Sequence, residues 1–262
     1  MSPMRRPIWP ELPVLPLTRA PSLSELPPPV VVGGTGGSGT RVVERILRQA
    51  GFYMGRVNGT GDALAMARVD RRHGPRFLRT GDERRMARAF DRALRRYTIR
   101  ARRAGGPWGW KHPHSYLFLP FLAERLPGMR FVHVVRDGRD MALSDNLNQL
   151  RLYGECALGR PPGESQLDAA AYWAWANTRA HEHGTELLGE RYLLLRLEEL
   201  CAEPDAGARG LLSFAGASRG FDGAAREVSP PASLGRWRTA DARAIAELQA
   251  TIAPALRALG YR

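Results

Sequence analysis

The feature that most constrains the fold is the stretch Pro29–Arg41, PVVVGGTGGSGTR, in which a short apolar run dissolves into glycines. It continues as Val42-Val43-Glu44-Arg45-Ile46-Leu47, which has helical periodicity. This is the pattern of a buried strand, a loop with almost no side chains, and a helix whose first amides have no partner within the helix. Such a helix start grips an anion, so the chain is expected to hold a phosphate or sulfate group.

Two familiar glycine fingerprints fail on this loop. Gly34, Gly36 and Gly39 have dinucleotide spacing, but that fold needs an acid about 20 residues on, at the end of a second strand. The region Gly51–Asp62 reads instead as loop, and its first acid follows no strand-like run. A Walker loop needs Gly-Lys followed by Ser or Thr, whereas Gly39-Thr40-Arg41 stands here. The loop is expected to bind phosphate without hydrolysing ATP.

A second anion element lies downstream. Met129–Val135 is a strand by its β-branched content, and Arg136-Asp137-Gly138-Arg139-Asp140 leads from it into a helix expected over about 138–149. Arg136 at the strand tip and Ser144 two turns into that helix can converge on one phosphate, the first by its guanidinium fork and the second by its hydroxyl.

With both elements in view, the chain resembles the sulfotransferases that use 3′-phosphoadenosine-5′-phosphosulfate (PAPS). In that family a glycine-rich loop after the first strand binds the 5′-phosphosulfate, and an Arg with a Ser eight residues later binds the 3′-phosphate. Gly36, Gly37, Ser38, Gly39, Thr40 and Arg41 match the first element, and Arg136 with Ser144 the second. The likeness extends through Trp108–Pro113, Leu195–Leu200 and Ser233–Arg238, covering roughly residues 28–258. The resemblance implies a basic loop closing over the 3′-phosphate, for which Arg236 and Arg238 are candidates. It also implies adenosine 3′,5′-bisphosphate as product and a small-molecule or glycan hydroxyl or amine as acceptor.

One departure directs attention to Lys111. Many family members carry Lys or Arg immediately before Ser-Gly-Thr, and here that position is Gly37. Lys111 is the only lysine in the chain and the candidate replacement, because a compact ammonium approaches a transferring group more closely than planar guanidinium does. For the general base, His112 and His114 flank Pro113, where family members place a histidine; the carboxylates Glu44 and Asp62 are alternatives. No cluster has metal-ligand spacing, and no metal is expected.

Composition fits this reading. A chain of 262 residues suits one α/β domain, expected over 28–262 as a three-layer sandwich: a central parallel sheet with helices on both faces. The net charge of +13 would also suit nucleic acid, and Arg84, Arg85, Arg88, Arg92, Arg95, Arg96, Arg100, Arg102 and Arg103 crowd one expected helix over about 82–103. A polyanionic donor needs a basic cleft in any case and the near absence of lysine points to a general preference for arginine, so no nucleic acid is expected. A phosphate-loop nucleotide or small-molecule kinase is the alternative enzyme, disfavoured by the missing Lys-Ser/Thr.

Residues 1–27 read as a proline-rich arm without an export signal, and no run is long enough to span a membrane. Cys156 and Cys201 form no disulfide pattern, so a cytoplasmic setting is expected. The segments 58–81 and 150–166 read as loops that line the acceptor pocket, 115–126 as a helix leading to the strand that follows, and Trp173 and Trp175 as core of a helix ending near 188.

Overall fold

The computed structural model describes residues 23–262, so the expected proline-rich arm falls almost wholly outside them. Its last residues are tied down. Leu23 and Leu26 pack against the core, and the Trp108 indole donates to the Pro27 carbonyl at 2.6 Å.

Four parallel strands form the sheet: β1 (Val30–Gly34), β2 (Gly109–Lys111), β3 (Arg130–Val135) and β4 (Tyr192–Arg196), in the order β2-β1-β3-β4. β1 is buried along its whole length, which is why it reads as an unbroken valine run. Val31 points to one core, with Phe131 of β3, while Val30 and Val32 point to another, with Val132 and Val134. Helices α1 (Thr40–Gln49) and α9 (Pro204–Ala215) cover this second face. The first face is covered by α2 (Leu64–Thr80), α3 (Glu83–Ala104), α4 (Leu119–Arg125) and α7 (Gln166–Leu188). A third cluster joins α5 (Gly138–Ala142), α7 and α10 (Ala242–Ala258) beyond the tip of β3. Two further helices, α6 (Asn148–Leu158) and α8 (Leu197–Ala202), complete the fold. The expected layered architecture is present, and no helix among the described residues is long and apolar enough to cross a membrane.

Three expectations are corrected. The segment expected as loop up to about residue 80 contains the 17-residue helix α2. Its buried stripe is Met66, Val69, Asp70, Gly74 and Phe77, and a carboxylate, a glycine and the internal Pro75 broke the apolar pattern that marks a helix. The helix expected over 138–149 stops at Ala142, and α6 begins only at Asn148 and runs on to Leu158 through a stretch expected as loop. Ser144 therefore lies just beyond the short helix rather than two turns into it. The helix expected at 115–126 starts as a 3-10 segment, Pro113–Phe118, and becomes α-helical at Leu119.

Candidate active site

Parallel strands direct their carboxyl ends to one edge of the sheet, and three candidate elements meet there: the glycine loop after β1, Lys111 at the end of β2, and Arg136 after β3.

The glycine loop is held open and from beneath. Gly39, the residue before α1, sits at φ 98°, and a side chain there would meet Leu197 at 2.6 Å, so glycine is required on both counts. It supplies no side-chain cap, and the amides of Gly36, Gly37 and Gly39 find no acceptor among the described residues. Ser38 is fully buried, yet its hydroxyl has no hydrogen-bond partner. An orphaned buried hydroxyl costs about 1–3 kcal/mol. Uncapped amides and an unpaired hydroxyl around an exposed Gly37 fit a tetrahedral anion that would satisfy them. Under the loop, Tyr192 O–H donates to His133 Nδ1 at 2.7 Å, His133 Nε2–H donates to Asn177 at 3.0 Å, and Asn177 donates to Thr35 at 3.0 Å. Burial pushes His133 down to about 3, so this chain runs through a neutral imidazole.

Lys111 is 2 % exposed. Its ammonium donates to the Thr60 carbonyl at 2.8 Å and pairs with Asp62, while Thr60 and Asn58 bond the same Asp62 carboxylate at 2.8 and 3.1 Å. Burial lowers the Lys111 pKa, and the bond to Asp62 offsets part of that shift. Arg41 and Glu44 stand beside it: a side chain at Gly61 would lie 3.5 Å from Glu44 Oε2, 3.6 Å from Lys111 Cε and 3.7 Å from Arg41 Cγ. Glu44 itself pairs with Arg48 at 2.6 Å.

Both candidate histidines converge on a residue the sequence reading missed. His112 Nε2–H and His114 Nδ1–H donate to Asp70 Oδ2 at 2.9 and 2.6 Å, and Tyr153 O–H donates to Oδ1. Burial would raise the Asp70 pKa, but the bonds from the two histidines outweigh it and hold the carboxyl well below its ordinary range. His112 is lowered, chiefly by burial, and its Nδ1 has no partner. Asp70, His112 and His114 also present donor atoms within 4.8 Å of one another, a set able to take a divalent cation. The signal for Asp70 was a lone carboxylate in the apolar stripe of α2.

At the tip of β3 a second missed residue organises the site. Asp140 is fully buried and accepts from Arg136 Nη2 at 2.8 Å and Nε at 3.2 Å, from the Gly235 amide at 2.6 Å and from the Trp237 amide at 3.1 Å. Arg136 also donates to Ser233, and Arg236 donates to the Asp140 carbonyl at 2.5 Å. One carboxylate thus holds Arg136 and anchors the loop 233–237, while the main-chain carbonyl of the same residue holds Arg236. Arg238 diverges to stack on Trp237, 4.8 Å from its ring, with Arg139 on the same indole at 3.6 Å. The half-buried Ser144 accepts from the Asn146 amide at 3.2 Å and has no bond to Arg136.

The profile of the sulfotransferase family matches residues 28–221, and the chain belongs to that family. It is therefore an enzyme of the sulfuryl-transfer class, and the nucleotide-kinase alternative gives way. No curated protein sequence matches it. Among solved structures it is similar to the sulfotransferase domain of the Synechococcus PCC 7002 olefin synthase, at 16% identity and TM-score 0.58, with 90% of this chain and 96% of that one covered. It is also similar to the sulfotransferase domain from the curacin biosynthetic pathway (13%, TM-score 0.58, 90% and 99% covered) and to sulfotransferase STF9 from Mycobacterium avium (14%, TM-score 0.54, 90% and 78% covered). At these identities the likeness is one of fold.

Proposed function

We propose that this sulfotransferase moves a sulfuryl group from PAPS to a hydroxyl or amine of a small-molecule or glycan acceptor, leaving adenosine 3′,5′-bisphosphate. The observation that carries this reading is the pair of anion sites on one sheet edge: the uncapped start of α1 with the orphaned Ser38 hydroxyl, and the guanidiniums of Arg136 and Arg236. The loop Gly36–Arg41 would hold the 5′-phosphosulfate. Arg136, Ser144 and Arg236 would hold the 3′-phosphate, with Arg238 bracing the loop through Trp237.

Sulfuryl transfer needs charge stabilised at the oxygen that leaves the sulfur and a base for the acceptor proton. Lys111 supplies the cation. For the base, Glu44 and Asp62 are each committed to a cation, whereas His112 is kept neutral by burial with a free Nδ1 lone pair. Asp70 fixes the tautomer by accepting a hydrogen bond from Nε2–H. The acceptor oxygen bonds to sulfur as its proton passes to His112 and the bond from sulfur to the bridging oxygen breaks.

Two outcomes test the reading. The protein should bind adenosine 3′,5′-bisphosphate much more tightly than 5′-AMP in calorimetric titration, and Ser144→Ala should remove roughly 1 kcal/mol of that difference. Equal affinities would sink the assignment of a 3′-phosphate site. Second, the base is active when neutral, so turnover should rise with pH through a midpoint below the ordinary imidazole value of 6.5. Because Asp70 raises the proton affinity of His112, Asp70→Asn should move that limb to still lower pH. A limb left in place would take the base elsewhere.

A further inference from the structure

A cavity of about 590 Å³ opens between α2 and α3, and six arginines line it: Arg56, Arg68, Arg72, Arg92, Arg96 and Arg100. No acidic residue shares the lining. None of the six forms an ion pair among the described residues, although their neighbours do: Arg76 pairs with Asp82, Arg79 with Glu155 and Arg102 with Glu25. A general preference for arginine explains how many there are; it does not explain why six of them face one cavity whose lining holds no acid to balance them. Like charges gathered around one groove repel unless an anion enters. The crowding is felt locally, since His73, also in the lining, is lowered by burial and then by Arg72, Arg85 and Arg92.

The spacing describes the ligand. Arg92, Arg96 and Arg100 follow one another at four-residue intervals on α3, which places successive guanidinium stems about 6 Å apart along about 12 Å of helix. Arg68 and Arg72 repeat the interval on α2 across the groove. The two aromatics in the lining are unsuited to stacking bases: Tyr97 is buried, donates to the Gly109 carbonyl at 2.6 Å and packs edge-on against Tyr53. The groove also adjoins the transfer site. Leu64 and Ala65 in its wall follow directly on Asp62 and Ala63; Asp62 pairs with Lys111, and the Ala63 amide donates to the Lys111 carbonyl at 2.8 Å.

We propose that this groove binds the acceptor, and that the acceptor is an oligosaccharide already carrying several anionic groups spaced along it. This rests on the sulfotransferase reading for the role of acceptor, and on the groove alone for its charge. The experiment measures binding of a heparin-derived sulfated hexasaccharide, a hyaluronan hexasaccharide, a neutral cellohexaose and a single-stranded oligodeoxythymidylate to the full chain. It uses the native sequence, the groove triple Arg92→Ala/Arg96→Ala/Arg100→Ala, and the charge-matched control Arg84→Ala/Arg88→Ala/Arg103→Ala, whose exposed side chains lie outside the cavity. At least one acidic hexasaccharide should bind and the neutral one should not; the groove triple should weaken that binding at least tenfold and the control less than twofold. Binding of the hyaluronan hexasaccharide would show that carboxylates suffice, and binding of the heparin hexasaccharide alone that sulfates are required. Equal loss in both triples, no preference for acidic over neutral sugar, or tighter binding of the oligonucleotide overturns the proposal. Bisphosphate affinity, followed in the same samples, should not change in the groove triple; absence of bisphosphate binding in the native protein would instead strike at the donor site.

Discussion

Replacing Lys111 with alanine is expected to lower kcat by on the order of 100-fold or more while leaving bisphosphate affinity nearly unchanged. An interaction made mainly in the transition state acts on turnover and not on ground-state binding, and the loss of one preorganised donor at a developing charge is typically of this size. The structure sharpens the expectation. Lys111 is buried, beside Arg41 and Glu44 at the start of α1, so its charge acts in a medium that screens it poorly. Lys111→Arg should recover only part of the loss, because guanidinium keeps the charge without the compact geometry. Removing the ammonium also strands the Asp62 carboxylate, so thermal unfolding belongs beside the single-turnover assay. A well-folded Lys111→Ala enzyme with near-normal turnover would return this lysine to a structural role and move the search for the cation to Arg41.

Arg136→Ala should weaken adenosine 3′,5′-bisphosphate by about 2–4 kcal/mol and change 5′-AMP little, since only the first carries the phosphate that a guanidinium fork would hold. This arginine also neutralises the buried Asp140, and breaking such a pair costs about 3–5 kcal/mol of stability. Asp140→Asn, which keeps the side chain's size and removes its charge, separates the two effects: it loosens the loop 233–237 but leaves the Arg136 guanidinium, so it should weaken the bisphosphate less than Arg136→Ala does. Parallel weakening of both nucleotides in Arg136→Ala would refute the 3′-phosphate assignment.

What the sequence displayed was local. The valine run, the glycines and the helix after them are contiguous, and so are β3 and the Arg136 turn; a parallel strand buried on both faces announces itself in this way. A helix whose apolar stripe is interrupted by a buried carboxylate was hidden. Asp70 sits where an apolar residue would complete the stripe of α2, and Gly74 packs against its carboxylate, so the chemistry that makes the helix interesting also erased its periodicity. The partners of Asp70 lie more than 40 positions away, and those of Asp140 more than 90, apart from Arg136 on its own turn. Local pattern carries no trace of pairings made by tertiary folding. His112 and His114 were both singled out, but their common carboxylate had no signal beyond being an acid in an apolar stripe.

The solitary lysine has a spectroscopic corollary. Because the sequence contains one lysine and the fold buries it at the end of β2, isotopic labelling of lysine alone places a single side-chain ammonium signal in the spectrum of the whole 262-residue chain. Resonance overlap, the usual obstacle in a protein of this size, does not arise. The proton inventory of one catalytic candidate can be followed through donor binding, acceptor binding and turnover without altering an atom of the enzyme.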